Sequence, residues 1–537
     1  MAAEATPETR RGWTAERSIA GGRNPWLIVA VISIPTFMEV LDTSIANVAL
    51  DHISGGLSIS NDQATWVLTS YLVANAIIIP ISGWLTNVLG RKRYFLMSIA
   101  LFTFASLLCG LAPNLTTLVI ARVLQGIGGG GLAPVEQSML ADSFPPEKRG
   151  LAFAALAIVI VVGPVLGPAL GGWITEHASW HWVFLINVPI GIAAFFLTRT
   201  FVDEPEKVVS ERAEKLRKGL RIDYIGMILV AFGLGFFELT LDRGEREDWF
   251  SSGFIITTAA VSAISVLALI VWELQREDPV VDLRLLRNTN FSLTVVVMGI
   301  TGMILFGTTQ LIPQMLQQVL GYSALNAGLA LTFGGLATLL AVPFAGKLTG
   351  TVDVRILLGG ALAVQAAALW HLSGLTADIG FADAAIARTY QAVALPFLFV
   401  PINAIAYSGL RQDQTAQASA LLNVARNLGG SIGISSAQTL LAGAVQRHQT
   451  ELVQTLNPLD ADYTDWLSRA QGAFAGQADP NGVALGVLYQ EVRRQASILG
   501  FLDVFRSLMI VVLVVTPLVL LMRPSKTSNV EAPPVGH

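Results

Sequence analysis

The sequence predicts an all-α membrane protein whose fourteen spanning helices form two six-helix bundles with one helix pair inserted between them. Three observations predict it. The 537 residues are 53% hydrophobic and only 13% charged, with a mean hydropathy of +0.60, which is more apolar surface than a water-soluble fold of this length hides. Apolar stretches near the roughly 20-residue length needed to cross a hydrocarbon core recur between short polar breaks. A pattern closing the second stretch, Pro80-x-x-Gly83-x-Leu85-Thr86, returns at the end of the tenth as Pro343-x-x-Gly346-x-Leu348-Thr349. The net charge of -4 offers no concentrated basic face for nucleic acid, and the lone Cys109 excludes an internal disulfide framework.

The spans fall at 26–47, 63–86, 93–112, 115–140, 149–173, 181–200, 222–242, 252–274, 291–317, 325–348, 354–374, 385–409, 416–445 and 499–522. An even number puts both ends of the chain on one side. With the ends inside, Arg91-Lys92-Arg93, Lys148-Arg149, the Lys207 to Arg221 linker, Arg276, Arg284, Arg287, Lys347 and Arg355 all face the cytoplasm, whereas the connections 48–62, 113–114 and 318–324 carry no Lys or Arg. The expected organisation is a cytoplasmic tail at 1–25, a first six-helix bundle at 26–200, a cytoplasmic linker at 201–221 and the inserted pair at 222–274. A second linker at 275–290, a second bundle at 291–522 and a cytoplasmic tail at 523–537 complete it. The first tail lacks the apolar core and cleavage site of a signal peptide. Residues 446–498, rich in Gln, Ala and Asp, interrupt a face of otherwise short connections. They read as an external excursion with short helices of its own, serving either to dock a periplasmic adaptor or as a cap on the chain itself.

The first span carries Glu39 and Asp42, three apart and so on one helix face, too deep to be interfacial. The fourth carries Arg122, costly in lipid and therefore facing a cavity or a partner. Counted from the outer boundary, Asp42 and Arg122 each lie eight residues in, roughly 12 Å deep, so they can meet. A buried carboxylate whose distance to an arginine changes with conformation takes up and releases a proton as the protein rearranges; a permanent structural ion pair is the other reading.

In the fourth span, Gly126-x-Gly128-x-x-Gly131 imitates a dinucleotide fingerprint, but it lies inside an apolar helix with no preceding strand and reads as a smooth packing face. In the fifth, Gly163, Gly167 and Gly171 share one face while Pro164 and Pro168 each remove a donor, which makes a packed hinge; Gly172 follows. His177 and His181 lack the Glu between them that a metalloprotease helix needs and read as an interfacial loop among aromatic residues. No Gly-x4-Gly-Lys-Ser/Thr sequence is present, which argues against an ATP-driven pump.

The segment Gly83-Trp84-Leu85-Thr86-Asn87-Val88-Leu89-Gly90-Arg91-Lys92-Arg93 resembles the signature loop of the major facilitator superfamily, Gly-x-Leu-x-Asp-x-x-Gly-Arg-Lys/Arg-x. The family's acidic residue is Asn87 here, which puts in question the carboxylate-to-arginine latch of that loop. Arg122-x-x-Gln125-Gly126 resembles the superfamily's second motif, and the Gly163 to Gly172 segment its antiporter motif, Gly-Pro-x-x-Gly-Gly. The match narrows with Leu41 to Ala49, Trp182 to Gly191, Leu241-Asp242-Arg243-Gly244, Asp248 to Ser252, Gln317-x-Val319-x-Gly321-Tyr322, and Asn423-x-x-Arg426-x-x-Gly429-x-Ser431-Ile432-Gly433. Together these resemble the fourteen-helix drug:proton antiporter family (EmrB/QacA). The resemblance implies a multi-pass inner-membrane carrier with the major facilitator fold, exporting hydrophobic or amphipathic compounds in exchange for protons and conferring antibiotic resistance. It implies no cofactor, and a periplasmic adaptor of the EmrA type with an outer-membrane channel as partners. Asp42 is then the expected proton carrier, with Glu39 beside it, Arg122 as its partner and Arg426 as a second intramembrane cation. Glu136 and Glu238 are acids where the family pattern is neutral, lining either a substrate cavity or wet vestibules. A dedicated exporter of one metabolite, siderophore or antibiotic would use the same motifs. A membrane-embedded enzyme would need a catalytic cluster that the loops lack.

Overall fold

The computed structural model describes residues 24–522 except 145, 205–208, 210–221, 323, 377–379, 409, 412–413 and 458. All but the last two residues of the expected tail at 1–25, the whole of the tail at 523–537 and most of the 201–221 linker, including its basic cluster, lie outside the described residues. Within them every regular element is helical. Among the described residues thirteen helices are long and apolar enough to cross a membrane: α1 (Pro25–Val48), α2 (Asp62–Leu89), α3 (Arg91–Gly110), α4 (Leu115–Ser143), α6 (Trp182–Phe201), α7 (Tyr224–Gly244), α8 (Gly253–Gln275), α9 (Thr289–Gln318), α10 (Asn326–Thr349), α11 (Val354–Leu372), α12 (Phe381–Ala406), α13 (Thr415–Thr455) and α14 (Pro480–Leu520). The 32-residue helix Pro146–His177, α5, stands where the fifth span was expected.

Local chemistry explains where these helices start and bend. Asn24 accepts from the Trp26 N–H at 3.0 Å while Pro25 takes the first helical position, where its missing donor costs nothing. The glycine run 128–131 breaks α4 into Leu115–Gly129 and Leu132–Ser143. Pro396 breaks α12 in the same way, at Leu395. Gly90, at φ 90°, separates α2 from α3 in a conformation that a side chain resists. The excursion at 446–498 is mostly helix rather than loop. α13 runs through the expected boundary to Thr455, a short helix follows at Ala461–Ala473, and α14 begins at Pro480. The reason is composition: the Gln-, Leu- and Glu-containing segment after Val445 holds no breaker until Asn457 and Pro458.

The two six-helix sets pack by the same rule. α1 lies on α5 in the first, and α9 on α13 in the second. Small residues make both contacts close: a Cβ on Gly163 or Gly167 would collide with Val40 or Ser44 of α1, and one on Gly429 or Gly433 would collide with the α9 backbone at Gly299 or Met303. Between the sets, α2 packs on α13 and α5 on α10. The inserted pair stands beside this seam, α8 on α7 and α7 against both α2 and α13. Asp223, which caps α7 by accepting from the Gly226 N–H at 2.9 Å, also accepts from Trp272 Nε1 at 2.9 Å and so ties the hairpin's two ends together. Its outer face is open and apolar, with Ile264, Leu267 and Val271 exposed, as a lipid-facing surface requires.

Candidate functional site

The deepest polar cluster is built on α1 and α4. Arg122 Nη1 donates to Asp42 Oδ2 at 2.6 Å and to Gln125 Oε1 at 2.7 Å, and its Nε donates to the Val67 carbonyl of α2 at 2.9 Å. Asp42 Oδ1 accepts from Gln125 Nε2 at 2.8 Å and from Asn187 Nδ2 of α6 at 2.7 Å. Asp42, Arg122, Gln125 and Asn187 are all 0% exposed. The Tyr71 ring lies under the guanidinium at 4.3 Å and Phe184 at 5.5 Å. Gly126 lets this happen, since any Cβ there would strike the α2 backbone at Tyr71. An ion pair closed so completely is stabilised by bonding its remaining polar atoms: both carboxylate oxygens are bonded, whereas Arg122 Nη2 is buried without a hydrogen-bond partner.

A second cluster lies at the seam, one turn earlier on α1. Glu39 Oε1 accepts from Asn75 Nδ2 at 3.0 Å and from Tyr71 Oη at 3.4 Å, while its Oε2 is buried with no partner. Glu136, on the second segment of α4, accepts from Ser33 at 2.5 Å and likewise keeps one oxygen unpartnered. Arg426 of α13 faces both electrostatically from the other bundle, with its Nη1 unpartnered. Asn427 Nδ2 reaches Asn75 Oδ1 at 3.5 Å across the same seam. Tyr71 joins the two clusters, its hydroxyl on Glu39 and its ring under Arg122.

Glu238, grouped with Glu136 by the sequence reading, has different neighbours. It accepts from Ser431 Oγ at 2.7 Å, in the contact of α7 with α13. Asp242, one turn on, pairs with Thr69 of α2. α7 therefore places a carboxylate against each bundle.

Closure of the molecule is concentrated at the basic-loop end. Arg91 forms an ion pair with Asp142, at the end of α4, and donates to Thr415 Oγ1 of the second bundle at 3.1 Å. Asn87 is only half-buried; the carboxylate meeting Arg91 is Asp142, which sequence reasoning missed because it lies beyond the expected end of the fourth span. Lys92 reaches Asp203 at 3.9 Å, and Arg93 is exposed on α3. Nearby, Gly83 packs on Ala416, Gln417 and Ala420, Gly346 packs on Leu151 and Ala154, and Phe153 stacks on Tyr407 with ring centroids 5.5 Å apart. In α5, Gly163, Gly167 and Gly171 form the face against α1, whereas a Cβ on Gly172 would meet nothing. One residue on is about 100° round the helix, so Gly172 lies off the packed stripe. The side chains of Pro164 and Pro168 lie outside the described set. His177 stacks on Trp173 and His181 on Trp180.

Sequence reasoning also passed over Asn187, which lay inside a matched segment without a role, and Arg388, buried on α12. The signal for the latter was readable. Arg122-x-x-Gln125 recurs as Arg388-x-x-Gln391.

The Major Facilitator Superfamily model matches residues 32–434. The multidrug export protein EmrB of Haemophilus influenzae is 38% identical over 484 residues, covering 89% of this chain and 92% of that protein. The EmrB of Escherichia coli K12 is 36% identical over 480 residues (89% and 91%), and the fatty acid resistance protein FarB of Neisseria gonorrhoeae 35% identical over 506 residues (94% and 97%). Among solved structures, the human organic anion transporter MFSD10 superposes with a TM-score of 0.57 at 10% identity, covering 92% of this chain and 99% of that one. The proton:xylose symporter XylE gives 0.54 at 16% identity, covering 76% and 87%.

Proposed function

The chain belongs to the Major Facilitator Superfamily, a family of membrane transporters, and from that premise we propose that it is a proton-coupled multidrug efflux antiporter of the inner membrane. Its cargo is hydrophobic or amphipathic, in keeping with the names of the EmrB and FarB relatives. The observation that carries the coupling is the Tyr71-linked pair of clusters, in which Asp42 and Glu39 are held at different levels of neutralisation on one helix. In this reading the basic-loop end is cytoplasmic, both termini are cytoplasmic, and the structure is sealed on that side by Arg91, Asp142 and Thr415. A proton arriving at Glu39 weakens its hold on Arg426 and loosens the seam, while Asp42 exchanges its proton when α1 and α4 shift against each other. The membrane potential adds about 2.3 kcal/mol per charge per 100 mV.

The helical excursion between α13 and α14 is read as the docking surface for a periplasmic adaptor of the EmrA type and, through it, an outer-membrane channel; its length on a face of short connections supports this. Purified protein in liposomes, given an imposed acid gradient, is expected to move ethidium, and Asp42→Asn to abolish that movement while insertion is retained. Undiminished transport by the variant removes Asp42 from the mechanism. Cross-linking from residues 461–473 in actively exporting cells tests docking, and capture of no adaptor argues for a self-contained cap.

A further inference from the structure

The second bundle holds a copy of the Arg122 cluster from which the neutralising groups have been removed. In each bundle the arginine reaches a residue 80 positions earlier on the bundle's first helix: Asp42 for Arg122, but Thr308, at 3.5 Å, for Arg388. In each it bonds the glutamine three residues on. The register that aligns Pro80 with Pro343 sets Tyr71, whose ring covers Arg122, against Gly334, on which the Arg388 side chain packs. A carboxylate has become a hydroxyl, and an aromatic ring a hydrogen.

What remains around Arg388 is neutral. Its partners are Gln391, Thr308 and, at 3.3 Å, the half-buried Thr309. The Nε of Arg388 and the Nε2 of Gln391 are buried donors without acceptors. Arg388 is 2% exposed, and among the described residues no carboxylate lies within 4 Å of it. A guanidinium does not shed its proton, so this cation stays charged and poorly compensated. Unsatisfied donors beside an unneutralised buried cation are the complement of a small anion.

We propose that Arg388, Gln391, Thr308 and Thr309 form a receiving site for a monoanionic group, either the carboxylate of an acidic amphipath or a chloride ion. Binding there needs no proton gradient, so the proposal stands apart from the export reading. Two variants test it. Thr308→Asp rebuilds the Asp42 arrangement and fills the site from within, and Arg388→Gln removes the cation. In lipid nanodiscs, with radiolabelled dodecanoate scored above the empty-disc background, both variants are expected to bind at least tenfold more weakly than the unsubstituted chain if the ligand is a carboxylate. If the ligand is chloride, replacing gluconate by chloride raises the thermal midpoint of the unsubstituted chain, and both variants lose that rise. Equal dodecanoate affinity together with equal chloride response in all three proteins overturns the proposal. Should Arg388→Gln fail to assemble, Thr308→Asp decides alone, because it supplies a partner that the fold already accommodates in the first bundle. Ethidium movement by the unsubstituted chain, measured separately, scores the export reading.

Discussion

Asp42 and Glu39 stand less than one helical turn apart on α1, yet their surroundings divide them. Asp42 is enclosed within the first bundle, and each of its oxygens is bonded to a donor from α4 or α6. Glu39 faces the seam between bundles, bonded on one oxygen and bare on the other, with Arg426 opposite. The difference teaches that two carboxylates on one helix face are not interchangeable proton sites: the first is held by an ion pair that resists disturbance, the second by contacts that separate whenever the bundles part.

Substitutions at these positions can break or sharpen that contrast. The largest effect is expected from Asp42→Ala, which strands Arg122 in a dry site and should cost about 3–5 kcal/mol, seen as a steep fall in the yield of folded protein and in its thermal midpoint. An unchanged midpoint would show that the enclosure is weaker than its geometry. Next comes the double variant Asp42→Asn with Arg122→Gln, which removes both charges and should recover most of that loss while leaving proton-driven transport absent. A double variant no more stable than Asp42→Ala would mean that the pair is not what stabilises the cluster. Glu39→Gln is expected to lower transport at least tenfold with a stability change under about 1 kcal/mol, because the amide can still accept from Asn75; comparable losses at Asp42 and Glu39 in both assays would erase the distinction. The smallest is Tyr71→Phe, which keeps the ring under Arg122 and removes a 3.4 Å hydrogen bond. It should cost about 0.5–1 kcal/mol or less and alter the pH dependence of transport more than its maximum rate. A pH profile identical to that of the unsubstituted chain would mean that Tyr71 does not connect the two clusters.

The helices were legible because lipid demands long apolar runs, and the depth of Asp42 and Arg122 could be counted along two antiparallel spans. Other features were hidden for definite reasons. Asp142 falls past the apolar run of its span, so hydropathy assigns it to a loop although α4 continues through it to Ser143. The extension of α13 beyond Val445 is polar, and a membrane-length criterion ends where helix propensity does not. Arg388 was concealed by the register chosen for the repeat: the Pro80/Pro343 echo differs by three residues from the spacing that relates Arg122 to Arg388. No residue pattern announces that Glu238 and Asp242 face opposite bundles, since that depends on where the inserted hairpin lies.

That hairpin has a mechanical consequence. The hairpin is fastened to α2 through Asp242 and Thr69 and through Arg243 over Trp66, and to α13 through Glu238 and Ser431, Ser435 and the Leu241 carbonyl, and, from the turn after α7, Trp249 and Thr439. Any swing that parts α2 from α13 beside it must unfasten one of these rows. The extra helices thus act as a tether across the opening, and the row that yields first sets both how wide the gap becomes and which bundle carries the hairpin away.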